Sequence, residues 1–272
     1  MIINIRPETP ADYYAVEEVA RETFWNDNWE AEPKVTDIPL LISRLRECPS
    51  YVPELHFVAE VDDKIVGHII YTKSKIENED GNSYETLTFG PISVLPEYQS
   101  KGIGKALMQH SFEEAKRLGY SAVLIYGYPS YYPRVGFKLC SEFGITPAGS
   151  SEYETADDSF MVYPLYDGAL DSISGKYSID PVYFDLKLED AIEYDKKFPP
   201  KPLHTPEPID LVLNHLKPDA QKAIREQNLA TLHALTTKSE REIRSLDGID
   251  DEAIKTIKSV MQKHGKHWGN PV

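Results

Sequence analysis

The sequence is poor in cysteine, in long apolar runs and in basic residues, and each shortage argues against a class of protein. Two cysteines, Cys48 and Cys140, in 272 residues are too few for a disulfide framework, which predicts a reduced, cytoplasmic location. No apolar run approaches the roughly 18 residues that a membrane-spanning helix requires. The first residues lack a basic stretch followed by an apolar one, so we expect no secretion signal.

Basic side chains are outnumbered by acidic ones, 29 against 44, which gives a net charge of −15. Nucleic acids and anionic membranes attract proteins with cationic faces, so this balance argues against a partner of either kind. Residues 205–272 hold ten basic and ten acidic side chains, and the excess of acid therefore lies in the first 204 residues. The simpler interpretation of this acidic excess is that it keeps the protein soluble. The alternative is that it attracts a cationic acceptor such as an amine.

Hydrophobic periodicity divides the first part of the chain into helices and strands. The predicted order is a strand, two helices, three strands, a helix and a strand, which favours an α/β fold with a mixed sheet. Asp62-Asp63 and residues 78–82 predict tight hairpin turns, because Asp, Asn and Gly tolerate positive φ angles. The elements are predicted at residues 3–5, 11–24, 39–46, 55–61, 64–74, 84–94, 103–118, 121–126 and 160–165.

A proline-rich stretch separates this region from a second region with a different hydrophobic pattern. Five prolines between residues 199 and 208 predict a stiff linker. Beyond it the pattern indicates short helices alone, one begun by the capping box Ser239–Glu242 and the last running from about Asp251 to His264. The sequence thus predicts a domain over residues 1–170, an extension and linker over 171–205, and a small all-α domain over 206–272.

The most informative motif is a glycine-spaced loop that leads from a strand into an amphipathic helix, Gln99-Ser100-Lys101-Gly102-Ile103-Gly104-Lys105. The first turn of a helix leaves N–H groups unpaired, and the helix dipole adds partial positive charge, so this end can hold a diphosphate. Glycines remove the Cβ atoms that would block its approach. The pattern is neither that of the P-loop nor that of the dinucleotide folds. If only the two glycines are considered, the simpler interpretation is a strand-to-helix turn that has a packing role and binds no phosphate.

Two motifs together resemble those of the GCN5-related N-acetyltransferases, the GNAT superfamily. Gln99-x-x-Gly102-x-Gly104, preceded by Val94-x-Pro96, resembles the family's coenzyme A pyrophosphate loop. Residues 131–137, Tyr-Tyr-Pro-Arg-Val-Gly-Phe, resemble the Phe-Tyr-x-x-x-Gly-Phe signature that follows the fifth GNAT strand. The resemblance covers about residues 1–170. It implies the GNAT fold, a mixed central sheet flanked by helices, and an N-acetyltransferase that moves acetyl from acetyl-CoA to a primary amine of a small molecule or peptide.

The resemblance also implies which residues form the site. Tyr132 aligns with the tyrosine that protonates the departing CoA thiolate, and Tyr131 is the alternate. A phenol with a pKa near about 10 suits that role, although an aromatic ring that only packs is the competing interpretation. Backbone groups would bind the pantetheine arm at Ile92, Ser93 and Val94, and the diphosphate at Gln99, Ser100, Lys101, Gly102, Ile103, Gly104 and Lys105.

No general base and no metal site can be identified from the sequence. Residues 87–92, on the strand that faces the acceptor in the family, carry no carboxylate, and Glu85 is the nearest. A water chain and a substrate that arrives neutral both remain open. Trp25 and Trp29, between the first two helices, either line a pocket or fold back on the core. His264 and His267 without further ligands do not predict a metal centre.

Residues 209–265 resemble the C-terminal domain of the bacterial RNA polymerase alpha subunit and related helix-hairpin-helix modules. The resemblance rests on residues 216–218, 228–232 and 243–257. In that family the hairpin presents amides and basic side chains to DNA, whereas here it carries acids, so we expect no useful DNA binding and instead a protein partner or homodimer contact. The alternative to an enzyme is an acyl-CoA-sensing or nucleic-acid-associated regulator built on the GNAT fold. The hairpin acids are Asp247, Asp250, Asp251 and Glu252.

Overall fold

The computed structural model describes residues 1–25, 35–148, 158–201, 208–236 and 238–264. The chain divides into two compact units, Met1–Pro200 and Lys201–Pro271. Within the described ranges, no helix combines the length and the apolar character that a membrane span needs.

The first unit is built on a mixed sheet that has nine strands within the described residues. The strands are β1 (Asn4–Pro7), β2 (Phe57–Val61), β3 (Lys64–Glu77), β4 (Ser83–Val94), β5 (Ala122–Tyr126), β6 (Lys138–Leu139), β7 (Ile145–Pro147), β8 (Phe160–Pro164) and β9 (Gly175–Ser178). Their order across the sheet is β1-β2-β3-β4-β5-β8-β6, with β9 beside the far end of β3 and β7 beside β9. β4 pairs in parallel with β5, and β3 is antiparallel to both β2 and β4.

Helices cover both faces of this sheet. They are α1 (Tyr13–Phe24), α2 (Ile38–Glu47), α3 (Ile103–Arg117) and α4 (Leu188–Asp195). Adjacent strand residues alternate between two cores: Phe57 and Ile69 pack with the apolar stripe of α3, whereas Val58 and Ile70 pack with α1 and α2. Because side chains alternate along a strand, α3 lies on one face of the sheet and α1 and α2 lie on the other.

The hairpins form where turn chemistry predicted them. Asp62 and Asp63 adopt φ angles of 50° and 61° between β2 and β3, and Gly81 adopts 83° between β3 and β4. Gly119, with a φ of 91°, follows the end of α3. The elements predicted between residues 3 and 126 are all present, with ends that differ from the prediction by at most three residues.

The segment predicted as an extension differs from that expectation, because part of it completes the first unit. β9 pairs with β3 and α4 packs against α2. The Arg21 guanidinium holds Asp195 with two bonds of 2.6 and 2.7 Å and donates to the Pro199 carbonyl. Phe198, in the predicted linker, is buried. A four-residue strand and an eight-residue helix are too short to show a period, so long-range contacts rather than local pattern determine them.

The second unit is helical over its described residues. Its helices are α5 (Asp210–Leu213), α6 (Pro218–Arg225), α7 (Leu232–Thr236), α8 (Glu240–Arg244) and α9 (Asp251–Lys263). The predicted capping box is present at α8, where Ser239 Oγ accepts from the Glu242 amide and Glu242 Oε2 accepts from the Ser239 amide. The helices enclose one apolar core, which includes Leu213, Leu216, Ile224, Leu232, Leu235, Ile243, Ile254 and Ile257.

Candidate functional site

A cleft opens where the parallel strands β4 and β5 separate. Leu87 and Val123 are the one registered pair between them, although β4 continues to Val94 and β5 to Tyr126. The register of β3 against β4 slips between Ile69 and Tyr71, opposite residues 90–91. Pro91 has no N–H for a ladder, and a bulge bends the strand that carries it. The regular ladder of β4 is therefore interrupted beyond its pairing with β5.

The loop over residues 99–105 borders this cleft and offers a run of free amides. In the described part of the chain, the backbone N–H groups of residues 100–105 donate to no protein acceptor, and the first helical bond runs from Ala106 N to Gly102 O at 2.9 Å. Ser100 and Gly102 adopt φ angles of 59° and 86°. Positive φ at alternate positions curves the backbone so that successive N–H groups can converge on one anion. The predicted diphosphate loop thus has the donors that such a ligand needs.

Two side chains fix this loop to the end of β4. The Val94 carbonyl accepts from Gln99 Nε2 and from Thr23 Oγ1 of α1, both at 3.0 Å. The Gln99 side chain is therefore committed to the strand, and its backbone N–H donates to the Pro96 carbonyl at 3.3 Å. Lys101 Nζ donates to the Glu97 carbonyl at 2.6 Å, which turns its charge back over the loop, while Lys105 is exposed.

The ring of Tyr132 packs at the end of β5. It contacts Phe137 and Phe89, with ring centroids 5.3 and 6.1 Å away, and a Cβ added to Gly127 would lie 2.2 Å from its Cε2. Its hydroxyl has no hydrogen-bond partner among the described residues. Burial raises the pKa of Tyr132 well above its usual range, and Tyr131 and Tyr128 raise it further. The phenol therefore stays protonated at neutral pH and is free to donate.

The predicted pantetheine residues lie on the end of β4 with alternating side chains. Ile92 and Val94 are buried in the core beneath α3. Ser93 is buried on the α1 face, where its Oγ lies 3.0 Å from Nε2 of His68. The structure thus buries Ser93 against a histidine that sequence reasoning missed, because β3 gives no motif that singles out His68.

The remaining candidates lie apart from the cleft or outside the described residues. Glu85 pairs with Lys73 on the surface at 3.2 Å. The Arg21 guanidinium lies 4.6 Å above the Trp25 ring, so this tryptophan is held against α1. His264 ends α9. Trp29 and His267 lie outside the described residues. Gly127 was also missed, although a glycine directly after a predicted strand is a signal for close approach.

Comparison with known proteins shows which proteins this chain resembles. The family model described as Acetyltransferase (GNAT) family matches residues 17–137. The chain is 34% identical over 101 residues to the uncharacterized N-acetyltransferase YjhQ of Escherichia coli K12, across 37% of this chain and 55% of that protein. It is 26% identical to the uncharacterized N-acetyltransferase YhbS of the same strain, across 63% of this chain and 92% of that protein.

A solved structure shares the fold. The crystal structure of YhbS from Escherichia coli has a TM-score of 0.57 and 22% identity, and the match covers 68% of this chain and 94% of that one. The chain matches only about half of the length of YjhQ, at 55%. Residues 17–137, which the family model matches, contain β4 and β5, the amide-rich loop and the turn that carries Tyr132. This part of the chain is therefore similar to the acetyltransferase (GNAT) family, and the chain shares the fold of the YhbS structure.

Proposed function

We propose that this chain is an acetyl-CoA-dependent N-acetyltransferase that transfers acetyl to a primary amine. The observation that carries the proposal is the run of six backbone N–H groups over residues 100–105 that find no acceptor among the described residues, beside a cleft between two splayed strands. A diphosphate is the ligand that such a run suits, since it brings several charged acceptors to one point. The YhbS structure that shares this fold is a complex with CoA, which supports the same ligand here.

The chemistry assigned to the cleft is direct attack of a neutral amine on the thioester. The loop amides of residues 100–105 would bind the diphosphate, and backbone groups of Ile92, Ser93 and Val94 would hold the pantetheine arm along the free edge of β4. Tyr132 would donate its phenolic proton to the thiolate as the carbon–sulfur bond breaks. Its uncommitted hydroxyl supports this role, because a proton donor must be unpaired before it acts.

An acceptor screen tests the proposal. Thiol release from acetyl-CoA is followed against a panel of simple amines, polyamines, aminoglycosides and peptides, with longer acyl-CoA donors in parallel. We expect at least one amine to raise thiol release above the rate without acceptor, and mass spectrometry to find the acetylated amine. Acetyl-CoA binding without any acetylated product across the panel would contradict the proposed transfer.

We propose further that the second unit contacts protein rather than DNA, in line with its resemblance to the helix-hairpin-helix modules. Its cations near residues 247–252 are already neutralised. Lys217 Nζ lies 3.0 Å from Asp250 and 2.6 Å from Glu252, and Arg244 pairs with Glu240 and Asp251. Phosphates would have to displace these carboxylates and would meet their repulsion. The regulatory alternative gains no support from the comparisons.

Fluorescence anisotropy of the full chain with mixed duplex DNA tests this second proposal. We expect no sub-micromolar binding at low or at physiological salt. Sub-micromolar binding with a steep salt dependence would contradict it, because that dependence reports phosphate contacts by free cations.

A further inference from the structure

One backbone carbonyl at the end of β4 is held by side chains from two different elements. The Val94 carbonyl oxygen accepts from Thr23 Oγ1, near the end of α1, and from Gln99 Nε2, in the loop that leads to α3, both at 3.0 Å. A carbonyl oxygen has two lone pairs, so these two donors occupy both of them. Val94 is buried, and its carbonyl would be an unsatisfied polar group without these donors.

The ladder between β3 and β4 shows which way this carbonyl points. The Leu95 amide donates to the Val66 carbonyl at 2.9 Å, so these two residues form a hydrogen-bonded pair. Hydrogen-bonded and non-hydrogen-bonded pairs alternate along antiparallel strands, and the next pair is Gly67 with Val94. The N–H and the C=O of Val94 therefore point away from β3, toward the side on which β4 pairs with β5. The carbonyl thus lies on the edge of β4 that borders the cleft.

Gln99 is the point at which the proposed diphosphate loop is tied to this edge. Its side chain reaches back five positions to Val94, and directly after it come residues 100–105, whose amides find no acceptor among the described residues. Those amides must keep their place without backbone hydrogen bonds of their own, until the helical bonds of α3 begin at the Ala106 amide. The position of the Val94 carbonyl therefore sets where the free amides begin.

Thr23 is in turn fixed by the helix that carries it. Its hydroxyl also lies 2.8 Å from the Val19 carbonyl, one turn earlier in α1, so its single hydrogen is shared between the Val19 and Val94 oxygens. Two residues before Thr23, the buried Arg21 guanidinium is held by Asp195 in two hydrogen bonds of 2.6 and 2.7 Å. The last turn of α1 is thus attached to the first unit independently of the loop.

We propose that Thr23 is a positioning residue of the donor site: with Gln99 it holds the Val94 carbonyl, and thereby keeps the free amides of residues 100–105 where the diphosphate binds. The inference rests on the proposed function. It assigns Thr23 no contact with the donor itself. Thr23 acts by restricting the loop before the donor arrives, and a site organised in advance binds more tightly because less ordering opposes binding.

The same two bonds restrict what the pantetheine arm can use. With both lone pairs of its oxygen occupied, the Val94 carbonyl cannot accept a hydrogen bond from an amide of the donor. Val94 therefore offers its N–H alone to the arm. Its carbonyl belongs to the support of the site and is not one of the ligand contacts.

Calorimetry with CoA on the full chain tests the role of the hydroxyl. Thr23→Val keeps the shape of the side chain but donates no hydrogen, so the dissociation constant for CoA should rise about three- to tenfold. Thr23→Ser restores the hydroxyl and should restore the affinity to within about twofold of wild type. Thr72→Val is the matched control, because it removes a buried hydroxyl on β3 that bonds to the Tyr183 hydroxyl instead, at 3.1 Å. It should leave the CoA affinity unchanged.

A further variant, Gln99→Met, tests the route from Thr23 to the loop. It keeps the length of the side chain but donates nothing to Val94, so it should weaken CoA binding by a similar factor. Because Gln99 links the carbonyl to the loop, adding Thr23→Val to Gln99→Met should change the CoA affinity less than about twofold. Effects that multiply instead would show that the two side chains act independently and would overturn the proposal.

Urea unfolding of the same variants separates positioning from stability. Thr23→Val and Thr72→Val each lose one hydroxyl and should lower the free energy of unfolding by similar amounts, whereas Thr23→Val alone should lose affinity. Wild-type CoA affinity in a folded Thr23→Val chain, or an equal loss of affinity in Thr72→Val, would overturn the positioning role. Failure of the wild type to bind CoA would instead contradict the proposed function, on which the inference rests.

Discussion

At the residue scale, the cleft depends on a few side chains in unusually close contact. The Tyr132 ring lies against Gly127 at a distance where any larger residue would collide with it. The same ring contacts Phe89 of β4, so one aromatic group touches both sides of the separation between β4 and β5. This packing fixes the ring while leaving the hydroxyl uncommitted, which is the arrangement a proton donor requires.

The first prediction concerns that hydroxyl. Tyr132→Phe keeps the ring and its packing but removes the proton, so turnover should fall about 100-fold while acetyl-CoA affinity stays near wild type. Rates under conditions where chemistry limits turnover, with calorimetry for affinity, provide the measurement. Tyr131→Phe, in the half-buried neighbouring ring, is the matched control and should change the rate little. Wild-type turnover in Tyr132→Phe would move the acid role to Tyr131 or to water.

The second prediction concerns the pH dependence of stability. Burial lowers the pKa of both His56 and His68, so these rings are neutral in the folded chain, whereas their unfolded counterparts bind protons below about pH 6.5. The stability they contribute is therefore complete above pH 6.5 and is lost as the pH falls. Each ring should lower the free energy of unfolding by about 1.4 kcal/mol per pH unit once the unfolded form is fully protonated.

Urea unfolding at pH 7.5, 6.0 and 5.0 measures this dependence. His68→Gln should reduce the slope of the free energy of unfolding against pH, between pH 6.0 and 5.0, by about 1.4 kcal/mol per pH unit, the amount that one proton contributes. The carboxylates with lowered pKa values lose their contribution at lower pH than these histidines; they are Asp12, Glu60, Glu240, Glu242 and Asp250. An unchanged slope in His68→Gln would contradict the assignment of a neutral buried ring.

At the scale of elements, α4 is attached to α1 and α2 by ion pairs of very different burial. The Arg21 side chain, only 4% exposed, is held by Asp195 in two hydrogen bonds. Arg44 reaches Asp190 at 2.6 Å in a pair that is a third or more exposed on each side. α1 also carries Thr23, which bonds to the Val94 carbonyl at the cleft, so the attachment of α4 supports the helix that borders the site.

The third prediction compares these two pairs. Asp195→Ala leaves a buried guanidinium without its partner and should cost about 3–5 kcal/mol in the free energy of unfolding. Asp190→Ala breaks the exposed pair and should cost less than about 1 kcal/mol. Urea unfolding of the full chain measures both. Equal costs would show that Arg21 finds another partner or that the helix does not stay docked.

Elements with a long periodic stretch of sequence or a distinctive turn could be predicted from the sequence, and the short elements could not. The stripe of α3, the turn at Asp62-Asp63 and the capping box at Ser239 each rest on residues close in sequence. By contrast, β9 and α4 are held by partners about 100 to 170 positions away, and no local pattern encodes such contacts. The candidate site divides in the same way. Its loop and Tyr132 follow from motifs, whereas the His68–Ser93 contact exists only because β3 and β4 pair in one register.

At the scale of the whole molecule, the chain consists of an acidic first unit and a helical second unit with balanced charge. The net charge of −15 lies in the first 204 residues, which contain the cleft. Such a charge repels anions, so the proposed acyl-CoA donor would depend on the local amides of residues 100–105. The central claim is that these amides bind the CoA diphosphate.

The fourth prediction tests this claim by calorimetry with acetyl-CoA on the wild type and two matched variants. Gly102 and Gly119 lie at opposite ends of α3, have φ angles of 86° and 91°, and would each place a Cβ in open space. Valine at either position therefore costs similar backbone strain, about 1–2 kcal/mol, but only Gly102→Val places its side chain over the amide loop. Acetyl-CoA affinity should fall at least about tenfold in Gly102→Val and stay near wild type in Gly119→Val. Wild-type affinity in a folded Gly102→Val chain would contradict the site.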